Sequence, residues 1–217
     1  MSTTNYKKEE YWSKFANTYD EDVKYIGGEA IQQALIERLS KESKLKELIE
    51  FGCGAGFYTK ALAANASHVM ATDLSDEMLA VARIQLKDLQ NVTVEKADCE
   101  STAFPDGKFD SIFMANLIHV IENPSIAIKE SYRILKDGGL LLVIDYTAYG
   151  MRWFEKMKMG IRVLRKWAKW GKQPAYSKGN LSPDELCSLV ESAGFKVEEV
   201  QLIGDKCKAI FLKGRKG

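Results

Sequence analysis

From about Leu45 onward the chain alternates short apolar runs with amphipathic stretches, and few folds accommodate that alternation. The runs Leu45–Phe51, His68–Asp73, Val92–Lys96, Phe109–Ala115 and Leu140–Asp145 are nearly continuous in apolar character, as strands covered on both faces must be. Tyr58–Ala64, Ser75–Leu89 and Ser125–Leu135, which lie between them, carry the spacing of helices. Repeated strand–helix units predict an α/β protein with a parallel sheet and helices on both faces. Two further strands, Lys196–Ile203 and Lys206–Lys213, meet at Gly204-Asp205, so an antiparallel hairpin is expected to complete a seven-stranded, mostly parallel sheet.

The punctuation agrees with this reading. Ser75 before Asp76 and Glu77 suits a helix start, as does Ser182 before Pro183, Asp184 and Glu185. Asp137-Gly138-Gly139 reads as a helix end. At 217 residues one domain is expected, with a helical N-terminal lid over 1–44, a binding core over 45–146, a cap insertion over 147–180, and a closing helix and hairpin over 181–217.

The first strand runs into Glu50-Phe51-Gly52-Cys53-Gly54-Ala55-Gly56-Phe57, a GxGxG loop between a strand and a helix. In open parallel sheets the ligand lies beyond the carboxyl ends of the strands, where glycines let backbone approach it closely. A dinucleotide loop would want glycine at position 57, which is Phe57, and a pyrophosphate is poorly served by Glu50. An acid there instead suits a cationic ligand, and the sulfonium and ammonium of S-adenosylmethionine (SAM) are such groups. Asp73, ending the second strand, can accept from two vicinal ribose hydroxyls, although it could also serve as a helix cap. Asp98, ending the third, could accept from an adenine amino group.

Glu50 to Gly56, Asp73, Ala97-Asp98, Phe104-Pro105-Asp106 with Phe109-Asp110, and Arg133 to Gly139 together resemble the class I SAM-dependent methyltransferases. Within them they are most similar to the small-molecule branch of ubiquinone and menaquinone biosynthesis C-methyltransferases. The likeness runs from about residue 45 to 146, with a weaker echo in Tyr11 to Asp20. It implies a Rossmann-like fold, SAM as cofactor and S-adenosylhomocysteine as product. It further implies that Glu50, Gly52 and Gly54 hold the methionine end, Asp73 the ribose hydroxyls, and Asp98 the adenine amino group beside the Cys99 backbone, with Cys53, Gly56 and Leu74 also at the cofactor. Asn116 and Leu117 would stand near the methyl group, and Tyr19 would belong to a helix folded over the cofactor.

Tyr19, Asn116, His119 and Tyr146 are the expected catalytic residues. His119 follows the fourth strand on the acceptor side, though a lone histidine is more often structural. No catalytic dyad is evident, and none is needed when the acceptor is already nucleophilic. No spacing suggests a metal site, and the separated Cys53, Cys99, Cys187 and Cys207 suggest reduced thiols. With a polar Met1–Glu10 and no long apolar run, the chain is expected in the cytoplasm, either free or peripheral to a membrane.

Between Arg152 and Lys172 eight lysines and arginines face one acid, Glu155, a local charge of +7 in a chain of net +1. Trp153, Met157, Ile161, Leu164 and Ala168 line up against the cations of a helix. Three readings stand: an apolar face packed on the domain as a lid, contact of residues 151–172 with an anionic membrane, or nucleic-acid binding. Asn116-Leu117-Ile118-His119 departs from the signature of nucleic-acid amino-methylating enzymes, so a nucleic acid is not expected. The expected function is methyl transfer to a small, lipophilic acceptor. The alternatives are a SAM-binding adaptor without turnover, an RNA or protein methyltransferase using the basic helix, and an NAD-dependent dehydrogenase. Carbon, nitrogen, oxygen and sulfur acceptors all stay open, as does the oligomeric state.

Overall fold

The computed structural model describes residues 12–170 and 180–217, with side chains 167–170 left aside. The polar start, Tyr11, Lys172 and the side chains of Ala168 and Lys169 fall outside the described residues. In chain order come α1 (Tyr19–Gly27), α2 (Glu29–Leu39), β1 (Lys46–Phe51), α3 (Thr59–Ala63), β2 (Ala66–Asp73), α4 (Asp76–Gln85) and β3 (Val92–Lys96). There follow β4 (Phe109–Ala115), α5 (Pro124–Ile134), β5 (Leu135–Thr147), α6 (Trp153–Trp170), α7 (Pro183–Glu191), β6 (Phe195–Ile203) and β7 (Lys208–Lys216).

The seven strands form one sheet in the order β3-β2-β1-β4-β5-β7-β6. The first five pair in parallel, while β7 runs antiparallel to both β5 and β6. The order reverses at β1, whose neighbours are β2 and β4, so a crevice opens beyond the carboxyl ends of those strands. Successive strand residues point to opposite faces, and this splits the core in two. Leu48, Phe113, Leu142 and Phe211 pack with Leu35 and Leu39 of α2 on one face. Ile49, Ile112, Val143 and Leu212 pack with Ile128 of α5 and Leu186 of α7 on the other.

Both serine caps form. Ser75 Oγ accepts from the Met78 amide, and Ser182 makes a reciprocal capping box with Glu185 behind Pro183. Asp137-Gly138-Gly139 differs from expectation, because α5 ends at Ile134 and these residues already lie in β5. Phe109 and Ser111, two positions apart in β4, pair with Leu135 and Leu140, five apart in β5, so the glycine pair is taken up in a bulged strand entry.

The cap helix α6 also departs from the lid reading. Trp153, Met157, Ile161 and Leu164 are exposed, while Glu155 is buried. Arg162 donates to the Ile26 carbonyl of α1 at 3.2 Å, and Lys166 pairs with buried Asp22 of α1. The helix therefore lies on α1 through its polar flank and turns its apolar stripe outward.

Candidate active site

Beyond the carboxyl ends of β1, β2 and β4 lies a cavity of about 100 Å³ that opens to solvent. It is lined by Gly52 and Gly54 from the glycine loop, Asp73 and Leu74 from the end of β2, and Asp98 and Cys99 after β3. Asn116 and Leu117 complete it from the end of β4, and Tyr19 bounds it from α1. A smaller cavity of about 30 Å³ shares Tyr19, Gly52 and Asn116 with it and reaches Cys53. A larger cleft opens at the amino ends of the strands, but its walls carry ion pairs such as Arg38–Glu42 and Lys136–Asp110.

The loop geometry explains its composition. Gly52 has φ +69°, and a Cβ there would meet Leu117 at 3.0 Å. At Gly56, with φ +93°, a Cβ would stand 2.8 Å from Leu86 Cδ1, so this glycine serves close packing of the loop on α4. The Gly54 amide donates to Asp73 Oδ2 and the Ser75 amide to Asp73 Oδ1, both at 2.9 Å. Each carboxylate oxygen thus keeps a further lone pair for a ligand. Burial pushes the Asp73 carboxyl up from its ordinary range, against those backbone donors.

Glu50 takes a different place. It is 1% exposed, lies beneath the loop and lines neither cavity, and its Oε2 accepts from Thr59 Oγ1 at 2.6 Å. Burial, helped by the charge of Asp73 and opposed by Thr59, pushes its pKa up to about 7. Asp98 Oδ1 accepts from the Glu100 amide at 2.9 Å, which holds the third acid at the cavity wall. The structure therefore gathers Asp73 and Asp98 around one space, with Glu50 under its floor and Gly56 behind it.

Past the cavity the tips of β4 and β5 are clamped together. Asn116, at φ +54°, donates its amide to the Ile144 carbonyl and accepts from the Tyr146 amide at 3.2 Å. A left-handed backbone at a residue other than glycine is costly and persists where the surroundings hold it. His119 forms a pair that was not evident in the sequence. Its Nδ1 pairs with Oδ1 of buried Asp145, whose Oδ2 accepts from the His119 amide at 3.2 Å. Burial alone would lower the His119 pKa, but the charge and hydrogen bond of Asp145 outweigh it and hold the imidazole above its ordinary value. The Tyr146 hydroxyl is buried without hydrogen-bond geometry to any described group, and burial raises the phenols of Tyr19, Tyr58 and Tyr146. Neither His119 nor Tyr146 lines the two cavities.

Several wall residues escaped the sequence reading, among them Met78, Val120 and Trp12. Met78 was legible as the side chain one turn into the helix after Asp73, and Val120 as the residue one turn beyond Asn116. Trp12, edge-on to Tyr19 at 6.1 Å, had no local signal.

Residues 49–143 match the family model described as a methyltransferase domain. Over this stretch, somewhat under half of its length, the chain is similar to methyltransferases. The chain is 26% identical over 122 residues to a demethylmenaquinone methyltransferase of Clavibacter sepedonicus, covering 56% of this chain and 50% of that one. It is 31% identical over 132 residues to a ubiquinone/menaquinone biosynthesis C-methyltransferase of Psychromonas ingrahamii, covering 58% and 53%. The chain spans about half the length of these curated relatives. Among solved structures, a SAM-dependent methyltransferase from Aquifex aeolicus superposes with TM-score 0.69 at 21% identity, covering 94% of this chain and 98% of that one. One from Mesorhizobium loti gives 0.65 at 19%, covering 87% and 99%. Both likenesses show the fold alone.

Proposed function

We propose that the chain transfers a methyl group from SAM to a small, lipophilic acceptor by in-line displacement. The convergence of Asp73 and Asp98 on one cavity floored by Gly52 and Gly54 carries this reading. The donor set fits an adenosyl group, because Asp73 has acceptor capacity left for two vicinal hydroxyls and Asp98 stands where an amino group can donate. Leu74, Met78, Cys99 and Leu117 supply the flanking walls, and Glu50 backs the glycine loop at the methionine end. When bound, SAM supplies a methyl carbon made electrophilic by its positive sulfur.

The remaining work is alignment of the acceptor and exclusion of water. Tyr19 and Trp12 close the cavity from the N-terminal side. Asp145 fixes Nδ1 of His119 and so orients the imidazole as the candidate base for an acceptor hydroxyl or carbon acid. Asn116 and Tyr146 hold the strand tips on which that base stands. Relatives named for demethylmenaquinone and for ubiquinone/menaquinone biosynthesis support a quinone-like small molecule.

The test combines calorimetric titration with SAM, S-adenosylhomocysteine and NADH with incubation of methyl-labelled SAM and a panel of hydroquinones, phenols and amines. Binding of the two adenosyl ligands and label in an extracted product are expected. Tight SAM binding without label transfer to any acceptor would turn the reading toward an adaptor, and stabilisation by NADH alone would overturn it.

A further inference from the structure

Helix α6 carries a feature that methyl transfer does not use. Trp153, Met157, Ile161 and Leu164 follow one another at i, i+4, i+8 and i+11, within about 80° of arc at 100° per residue. They are exposed by 74%, 54%, 45% and 64% respectively, so the stripe faces solvent along three turns. Singly exposed apolar residues are ordinary, whereas a contiguous row of four on one helix marks a contact surface.

Charge decides what kind of contact. Exposed Lys158 and Arg165 border the stripe on one side, and Arg152 and Lys156 on the other. The single acid, Glu155, is turned inward and sits 3.5 Å from Lys158. Tryptophan and aliphatic side chains between two rows of cations match the boundary of an anionic bilayer, where the apolar row enters the acyl region and the cations reach phosphates. No described helix is long and apolar enough to cross a membrane, so α6 would lie in the surface plane. The helix also lies on α1, whose first residue, Tyr19, bounds the candidate cofactor cavity.

We propose that the outward face of α6 docks the protein on anionic lipid bilayers, so that a lipophilic acceptor enters from the membrane beneath α1. The docking stands on α6 alone, while the supply of acceptor rests on the methyl-transfer reading.

The test is co-sedimentation of the full chain with vesicles of phosphatidylcholine alone and of phosphatidylcholine mixed equally with phosphatidylglycerol. Binding to the mixed vesicles only, weakened by salt, is expected, with a blue shift of tryptophan emission that Trp153→Phe diminishes. Reversal of two border cations in K156E/R165E should weaken binding about thirtyfold, and M157E/L164E should abolish it. Ile84→Glu, at an equally exposed site on α4, should leave it unchanged. SAM affinity, measured on the same preparations, should not move in any of these variants. Equal binding to both vesicle types, no binding to either, or full binding by M157E/L164E would overturn the docking, even with SAM affinity intact. Vesicle binding without SAM binding would leave the docking standing and sink the methyl-transfer reading.

Discussion

The two ends of the parallel strands both hold buried acids, yet they treat them in opposite ways. At the amino ends Glu42 is bound by Arg38 and Lys213, and Asp110 by Lys136, so that these hydrogen bonds outweigh burial and hold both carboxyls below their ordinary range. At the carboxyl ends Glu50 is held by a hydroxyl and Asp73 by two amides, and both are pushed up. Among the described residues no lysine or arginine forms a salt bridge with either. An acid already paired with a cation serves the fold, while one kept in place by neutral donors retains its attraction for a positive ligand.

Removing an acid at each end tests the contrast most strongly. Glu42→Ala strands Lys213 and should cost roughly 3–5 kcal/mol of folding stability, read by urea denaturation, with SAM affinity unchanged. A marked loss of affinity would mean that the amino-end cluster is coupled to the site. A smaller effect comes from pH. Because the folded protein holds the Glu50 proton up to about pH 7 while the unfolded chain loses it near its ordinary value, stability should fall as pH rises through that window, by roughly 3 kcal/mol in all. Above about pH 7 the curve should flatten, and Glu50→Gln should remove the slope. If an ammonium group meets Glu50, SAM binding near neutrality should also release a proton, detected as buffer-dependent enthalpy. Asp73→Asn should weaken SAM about 100-fold, in keeping with the loss of two charge-assisted hydrogen bonds, with only a minor change in melting temperature. A large stability loss without an affinity change would return Asp73 to a purely structural role.

Much of this contrast could be read from the chain itself. Val92–Lys96, which alternates half-buried and exposed residues, and Phe109–Ala115, which is mostly buried, occupy the expected residues. The start of β5 was hidden, since Asp137-Gly138-Gly139 ends helices as readily as it bulges strands. The partner of His119 was hidden for another reason. Asp145 is 26 residues away and comes near only because β4 and β5 are adjacent, with Ala115 beside Ile144. In α6 the periodicity gave the apolar row correctly but could not say which row α1 would cover. That choice fell to Asp22 and the Ile26 carbonyl, which capture Lys166 and Arg162.

The bond from the Gly54 amide to Asp73 joins the glycine loop to the tip of the neighbouring strand. An incoming nucleoside therefore meets a carboxylate already aimed, and little of its binding energy is spent ordering the receptor. The same tie makes the loop and the ribose contact a single mechanical unit, in which a disturbance of one is felt by the other before any ligand arrives.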